Sequence, residues 1–320
     1  MSPILIALIA FAALALLVLL VCYVCFYIVF YVSRGTRRRA LLDKYPVPDG
    51  DEYRAHTEDM ISAIRRADLL DYREYTITSE DGLALCARYY EHKKGAPIEL
   101  MLHGYRGSAR RDMSAGIFRA AKVGHNAFVV DHRASGASEG HVISFGVKES
   151  RDCLDWLNFI IKEFGDGVEV MLTGISMGAA TVLLCTAQDL PKNVIGVLAD
   201  CGYSSAKEII KKVITNMHLP AALLYPFVRL GGIIFGGFDI NEADARRAVK
   251  SSRVPVIFYH GSDDNFVPCD MSKKNYKACA SKKKLVIIPG APHGLSYLIE
   301  PEMYISTFKE FCDKYCHRSK

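Results

Sequence analysis

The first thirty-two residues carry no charge: none of the 40 Lys+Arg or 35 Asp+Glu of this 320-residue chain falls there. Thirty of them are apolar, Ser2 and Pro3 being the exceptions. The rest of the chain is about 45% apolar, an ordinary globular proportion. Beyond the N-terminus, internal repeats and low-complexity tracts are missing, and the composition excludes a disordered chain and a coiled coil. The 10 cysteines show no framework spacing, which excludes a disulfide-stapled scaffold and fits a reducing compartment. Cys312, Cys316 and His317 cluster, but with no partner pair they read as a helix surface rather than zinc. A net charge of +5 is too dilute for a nucleic-acid footprint, so no nucleic-acid partner is expected.

What is present divides the chain into three parts: residues 1–32, a transmembrane anchor; 33–70, a basic linker and leading helix; and 71–320, a catalytic domain. The apolar run exceeds the ~20 residues needed to cross a bilayer core. It turns aromatic at Tyr23, Phe26, Tyr27, Phe30 and Tyr31, and Arg34, Arg37, Arg38 and Arg39 follow. That order reads as hydrocarbon core, interfacial belt and basic anchor, with the body on the cytoplasmic side. A cleaved signal peptide fits less well, because a basic n-region and an A-x-A site are both lacking. Cys22 and Cys25 read as apolar filler, with acylation near the interface as the alternative.

In the body, Tyr75–Ser79 and Leu83–Tyr90 flank an acidic-Gly turn and predict a hairpin. Apolar runs at 98–102, 127–130, 168–172, 194–199, 254–259 and 285–288 predict buried strands. Helical stretches near 110–123, 147–164, 177–189, 241–252, 270–281 and 301–317 alternate with them. The beat specifies an eight-stranded, mostly parallel α/β sheet covered by helices. It breaks at residues 204–240, an insertion whose stretch 219–237 is apolar and Gly/Pro-rich. A cap over a pocket or a membrane-docking flap would account for it.

Gly174-Ile175-Ser176-Met177-Gly178 lies between a strand and a helix, the context of a nucleophile elbow. The flanking glycines leave room for a tight, strained turn that exposes Ser176. A serine nucleophile needs a base and an orienting carboxylate, in the order Ser, acid, His. His293, in the loop Gly290-Ala291-Pro292-His293-Gly294, supplies the base. Residues 260–268 carry the acid, Asp263 or Asp264. The first oxyanion donor is the N–H of the residue after the nucleophile, Met177.

With G-x-S-x-G, then H-G-x-x-D-x-x-V-P at 260–268, then P-H-G at 292–294, residues 70–317 resemble the α/β-hydrolase superfamily. The monoacylglycerol-lipase-like and serine-aminopeptidase-like branches share this pattern. The resemblance implies that Asp264 is the acid and that Tyr105, in the loop His103-Gly104-Tyr105-Arg106-Gly107, gives the second oxyanion N–H. It places His103 beneath that turn, not in the base's role. Residues 131–140 are similar to the superfamily's D-x-R-G-x-G-x-S-x-G loop but depart from it at Ala134 and Ser135, so Asp131 and Arg133 are read as braces.

The expected function is a membrane-anchored serine hydrolase that cleaves lipid-like acyl esters through an acyl-enzyme, with no metal or cofactor. A serine aminopeptidase or amidase on the same triad is the first alternative. Its amine anchor would have to come from Glu208, Asp239, Glu242 or Asp244. A non-catalytic binding module is the second, and the intact triad argues against it. Lys273, Lys274, Lys277 and Lys282–Lys284 form a basic patch, read as a solvated face with anionic lipid as the competing partner.

Overall fold

Alternate residues of each central strand face opposite helical layers, and this two-sided burial fixes the architecture. In a computed structural model that describes residues 2–48 and 50–316, eight strands form one sheet. They are β1 (Arg73–Thr78), β2 (Ala84–Tyr90), β3 (Ile98–Leu102), β4 (Asn126–Val130), β5 (Val170–Ile175), β6 (Val194–Asp200), β7 (Val256–Gly261) and β8 (Lys283–Ile288). Their order is β1-β2-β4-β3-β5-β6-β7-β8, and only β2 runs against the rest. In β3, Leu100 and Leu102 join one buried layer and Met101 the other.

The helices are α1 (Pro3–Val29), α2 (Arg34–Leu42), α3 (Thr57–Ala67), α4 (Ala109–Lys122), α5 (Glu149–Phe164), α6 (Met177–Cys185), α7 (Ala206–Asn216) and α8 (Ala221–Gly231). There follow α9 (Ala245–Ala248), α10 (Cys269–Ala278), α11 (Ser296–Ile299) and α12 (Pro301–Tyr315). Helices α5 and α6 cover one face of the sheet, with Trp156 in the core as expected, and α4 and α12 cover the other. The chain leaves β3 toward β4 and leaves β5 toward β6. A crevice therefore opens between the carboxyl ends of β3 and β5, the usual place for a site in such sheets.

Three expectations need correction. Part of the basic linker is helical: Ser33 Oγ caps α2 by accepting the Thr36 N–H at 3.0 Å. The helix expected at 241–252 is three short turns, because the Asp244 carboxylate accepts the Arg247 N–H and starts a new helix there. The insertion at 204–240 is helical, but among the described residues none of it lines the cavity described below. Some of its apolar residues, Tyr225, Val228 and Phe238 among them, share a buried cluster with Phe26 of α1, which is long and apolar enough to cross a membrane, while Leu223, Leu230, Ile233 and Ile234 stay exposed. His317, part of the Cys312/Cys316 cluster, lies outside the described residues.

The α1–α8 contact is close because Gly231 permits it: a Cβ there would lie 2.5 Å from the Cys22 carbonyl oxygen. Phe30 is fully buried, edge-on to Phe145 and Phe238. The chain leaving α1 is stitched to the body. Tyr31 bridges Val142, Val32 N–H donates to His141 O at 2.8 Å, and Ile143 N–H donates to Phe30 O at 2.9 Å.

Candidate active site

Ser176 stands between β5 and α6 with φ +56°, in the left-handed region that a serine adopts only under constraint. The constraint is the packing of its flanking glycines. A Cβ on Gly174 would fall 2.2 Å from Gly178 O, and one on Gly178 would fall 2.0 Å from Leu102 O. Nothing larger than glycine fits either position, and Ser176 is held out at the sheet edge.

His293 and Asp264 meet it there. His293 Nε2 lies 2.8 Å from Ser176 Oγ, and His293 Nδ1 lies 2.6 Å from Asp264 Oδ2. The other oxygen of Asp264 accepts the Phe266 and Val267 N–H groups at 3.0 and 2.8 Å. Burial would raise this carboxyl's pKa. Hydrogen bonds from His260 and His293, with their charge, outweigh burial and bring it down to about 2. Asp263 points elsewhere, accepting from Ser262 Oγ at 2.7 Å.

Sequence reading gave His260 no role. It is fully buried, with Nδ1 2.7 Å from Ser272 Oγ and Nε2 2.8 Å from Val267 O and 3.1 Å from Asp264 Oδ2. Among the described residues the one grouping with metal-ligand chemistry is Cys201, Asp264 and His293. Two of these already hold the serine chain, and burial raises the Cys201 thiol well above its usual range.

The loop after β3 crosses in front of Ser176. Gly104 and Gly107 close a tight turn through a 3.1 Å hydrogen bond, and Tyr105 and Arg106 occupy its corner. A Cβ on Gly104 would lie 3.5 Å from that of Ser176, so this turn is in contact with the elbow. Two residues fix it from below. His103 Nδ1–H donates to Gly104 O at 2.8 Å, and Asp112 Oδ2 accepts the Gly104 N–H at 2.9 Å. Asp112 carried no distinctive sequence signal, since an acid in the first turn of a helix is ordinary. Among the described residues the N–H groups of Tyr105 and Met177 donate to no protein acceptor.

Beside this turn opens a cavity of about 330 Å³ that Ser176 and His293 line. Met60, Met101, Met113, Ile175, Leu295 and Leu298 give it apolar walls. Pro48, Tyr53, Met60 and Ala63 roof it, so the segment leading from the N-terminal helix into the body supplies the cover. As expected for braces, Arg133 pairs with Asp152 and Asp81, and Asp131 accepts the Ala109 and Ala137 N–H groups. In the basic patch, Lys274 pairs with Glu208 and Lys284 with Glu310.

Comparison with known proteins bears on the family and the fold. Residues 148–293 match the serine hydrolase (FSH1) family. The uncharacterized protein YqkD of Bacillus subtilis is 26% identical over 192 residues, 60% of this chain and 63% of that one. The lysophosphatidylserine lipase ABHD12 of Danio rerio is 26% identical over 62% of this chain and 52% of its own. The chain thus spans between half and two thirds of the length of these two relatives. The Pyrococcus furiosus esterase Pf2001 superposes with a TM-score of 0.64 over 79% of this chain and 96% of its own, at 20% identity, and shares the fold.

Proposed function

From the premise that this chain is a serine hydrolase of the α/β-hydrolase fold, we propose that Ser176, His293 and Asp264 act together to cleave carboxylic esters, with lipid-like acyl esters as substrates. The observation that carries this reading is the continuous hydrogen-bond chain from Ser176 Oγ through His293 to Asp264, at 2.8 and 2.6 Å. Ser176 Oγ attacks the acyl carbonyl while His293 Nε2 takes its proton. Asp264 holds the Nδ1–H and stabilises the imidazolium that forms. The developing oxyanion is received by the N–H groups of Tyr105 and Met177, whose alignment before the reaction lowers the barrier. His293 then protonates the leaving alcohol, the acyl group remains on Ser176, and water releases it by the reverse sequence.

Apolar walls around Ser176 support an acyl chain as the bound group. The N-terminal helix supports a membrane-tethered enzyme, with the body on the cytoplasmic side by the charge of Arg34 and Arg37–Arg39. The aminopeptidase reading has less support. Glu208 pairs with Lys274 and Asp239 with Arg229, Asp244 caps a helix, and neither these three nor Glu242 lines the cavity.

The test is covalent labelling of the detergent-solubilised full chain by a fluorophosphonate. Wild type is expected to label and Ser176→Ala not to; an unlabelled wild type, or equal labelling of both, sinks the proposal. A chain-length series of 4-nitrophenyl esters beside aminoacyl nitroanilides then separates esterase from aminopeptidase.

A further inference from the structure

We infer that the end of the N-terminal helix is a working part of the oxyanion turn, with Tyr105 and Arg106 as positioning residues that tie that turn to the last carbonyls of α1. The inference rests on the hydrolase reading above and adds a dependence which that reading does not require.

A helix ends with four carbonyls that have no partner inside it. In α1 the last two of those groups, on Ile28 and Val29, are met from the body, as is the Tyr31 carbonyl just beyond. Tyr105 Oη donates to Val29 O at 2.7 Å, and the Arg106 guanidinium donates to Ile28 O at 2.8 Å and Tyr31 O at 3.3 Å. A cation at a helix carboxyl end is also favoured by the helix dipole. These are the two corner residues of the turn, and the N–H of Tyr105 is the proposed oxyanion donor.

The choice of residue at 106 is informative. Its φ is +52°, at the turn position where glycine or asparagine relaxes the backbone. A long arginine stands there instead, and its side chain reaches α1. His103 and Asp112 secure Gly104, one residue before the donor. The ties to α1 are made by the donor residue and its neighbour, with the Tyr105 ring 4.9 Å from Phe145. A shift of the α1 end is therefore a shift of the Tyr105 amide relative to Ser176.

Arg106→Gly tests this because its expected effects on folding and on catalysis differ. It relaxes the left-handed position while deleting the tie, so the full chain in detergent should melt no lower than wild type. On 4-nitrophenyl butyrate, kcat should fall about tenfold with KM within about twofold. That is part of the larger loss known for deleting an oxyanion donor outright. The preference for this ester over its thionoester, whose sulfur is a poor acceptor, should shrink by a similar factor. Tyr105→Phe should act in the same direction, and Arg106→Lys, which keeps a cationic donor, should recover part of the rate. Unchanged kcat in both Arg106→Gly and Tyr105→Phe would overturn the inference. So would a fall in kcat that leaves the oxo/thiono preference as in wild type. Failure of wild type to react with the fluorophosphonate is a separate result and removes the hydrolase reading itself.

Discussion

His103 has both ring nitrogens occupied beneath the proposed oxyanion turn. Nδ1–H donates to Gly104 O, and Nε2 accepts the His132 N–H at 3.0 Å. Only the neutral ring satisfies both. Burial first, then the neighbouring His132, lowers its pKa to about 3. An unfolded histidine titrates near ~6.5. Above that pH both states are neutral and the full contribution to stability is present. As the pH falls, the unfolded chain takes a proton that the folded chain refuses, until the folded pKa is reached. The loss is at most about 1.4 kcal/mol per pH unit. The stability gap between wild type and His103→Asn, measured by urea unfolding, should narrow by up to about 2 kcal/mol from pH 6.5 to 5. A gap that widens on acidification would contradict this account.

Among the elements, α1 and α8 show how a helix face finds its partner. Gly231 meets the Cys22 carbonyl, and Gly236 admits the rings of Phe238 and Phe26. Gly231→Val must push the helices apart, at a cost of about 1–3 kcal/mol. Gly167→Ala, whose Cβ meets open space, should be neutral, and paired urea melts compare the two. The parallel strands were legible in the sequence because burial on both faces leaves unbroken apolar runs. β3 was read correctly despite Glu99, a fully buried carboxylate held by Arg119, His125 and Thr173. Those partners lie on other elements, so no local pattern announced them. The insertion at 204–240 was legible as an apolar interruption but not in its destination. An apolar helix packs equally well on a pocket or on a neighbouring helix, and the glycines that decide this act through contacts distant in sequence.

At the scale of the molecule, the meeting of Ser176 with His293 was legible in the sequence because strand ends and chain order are sequence properties. The cavity roof was not. Tyr53 and Met60 belong to a segment with the ordinary composition of a connector, and only the completed sheet brings them above Ser176. The proposed orientation toward a bilayer rests on charge: the arginines after α1 predict a cytoplasmic body. A C-terminal tag should resist external protease in sealed right-side-out vesicles and be cut in inverted ones. The opposite pattern would reverse the assignment.

Two residues separate the end of α1 from Val32, and Val32 is already hydrogen-bonded to the body. That leaves no swivel between the proposed membrane helix and the catalytic domain. A body so held presents its cavity at one fixed tilt and height, and a lipid-like substrate would arrive by sliding within the leaflet. Its rate would then follow mole fraction in the bilayer, and diluting the vesicles in buffer at constant lipid composition would leave turnover per enzyme unchanged.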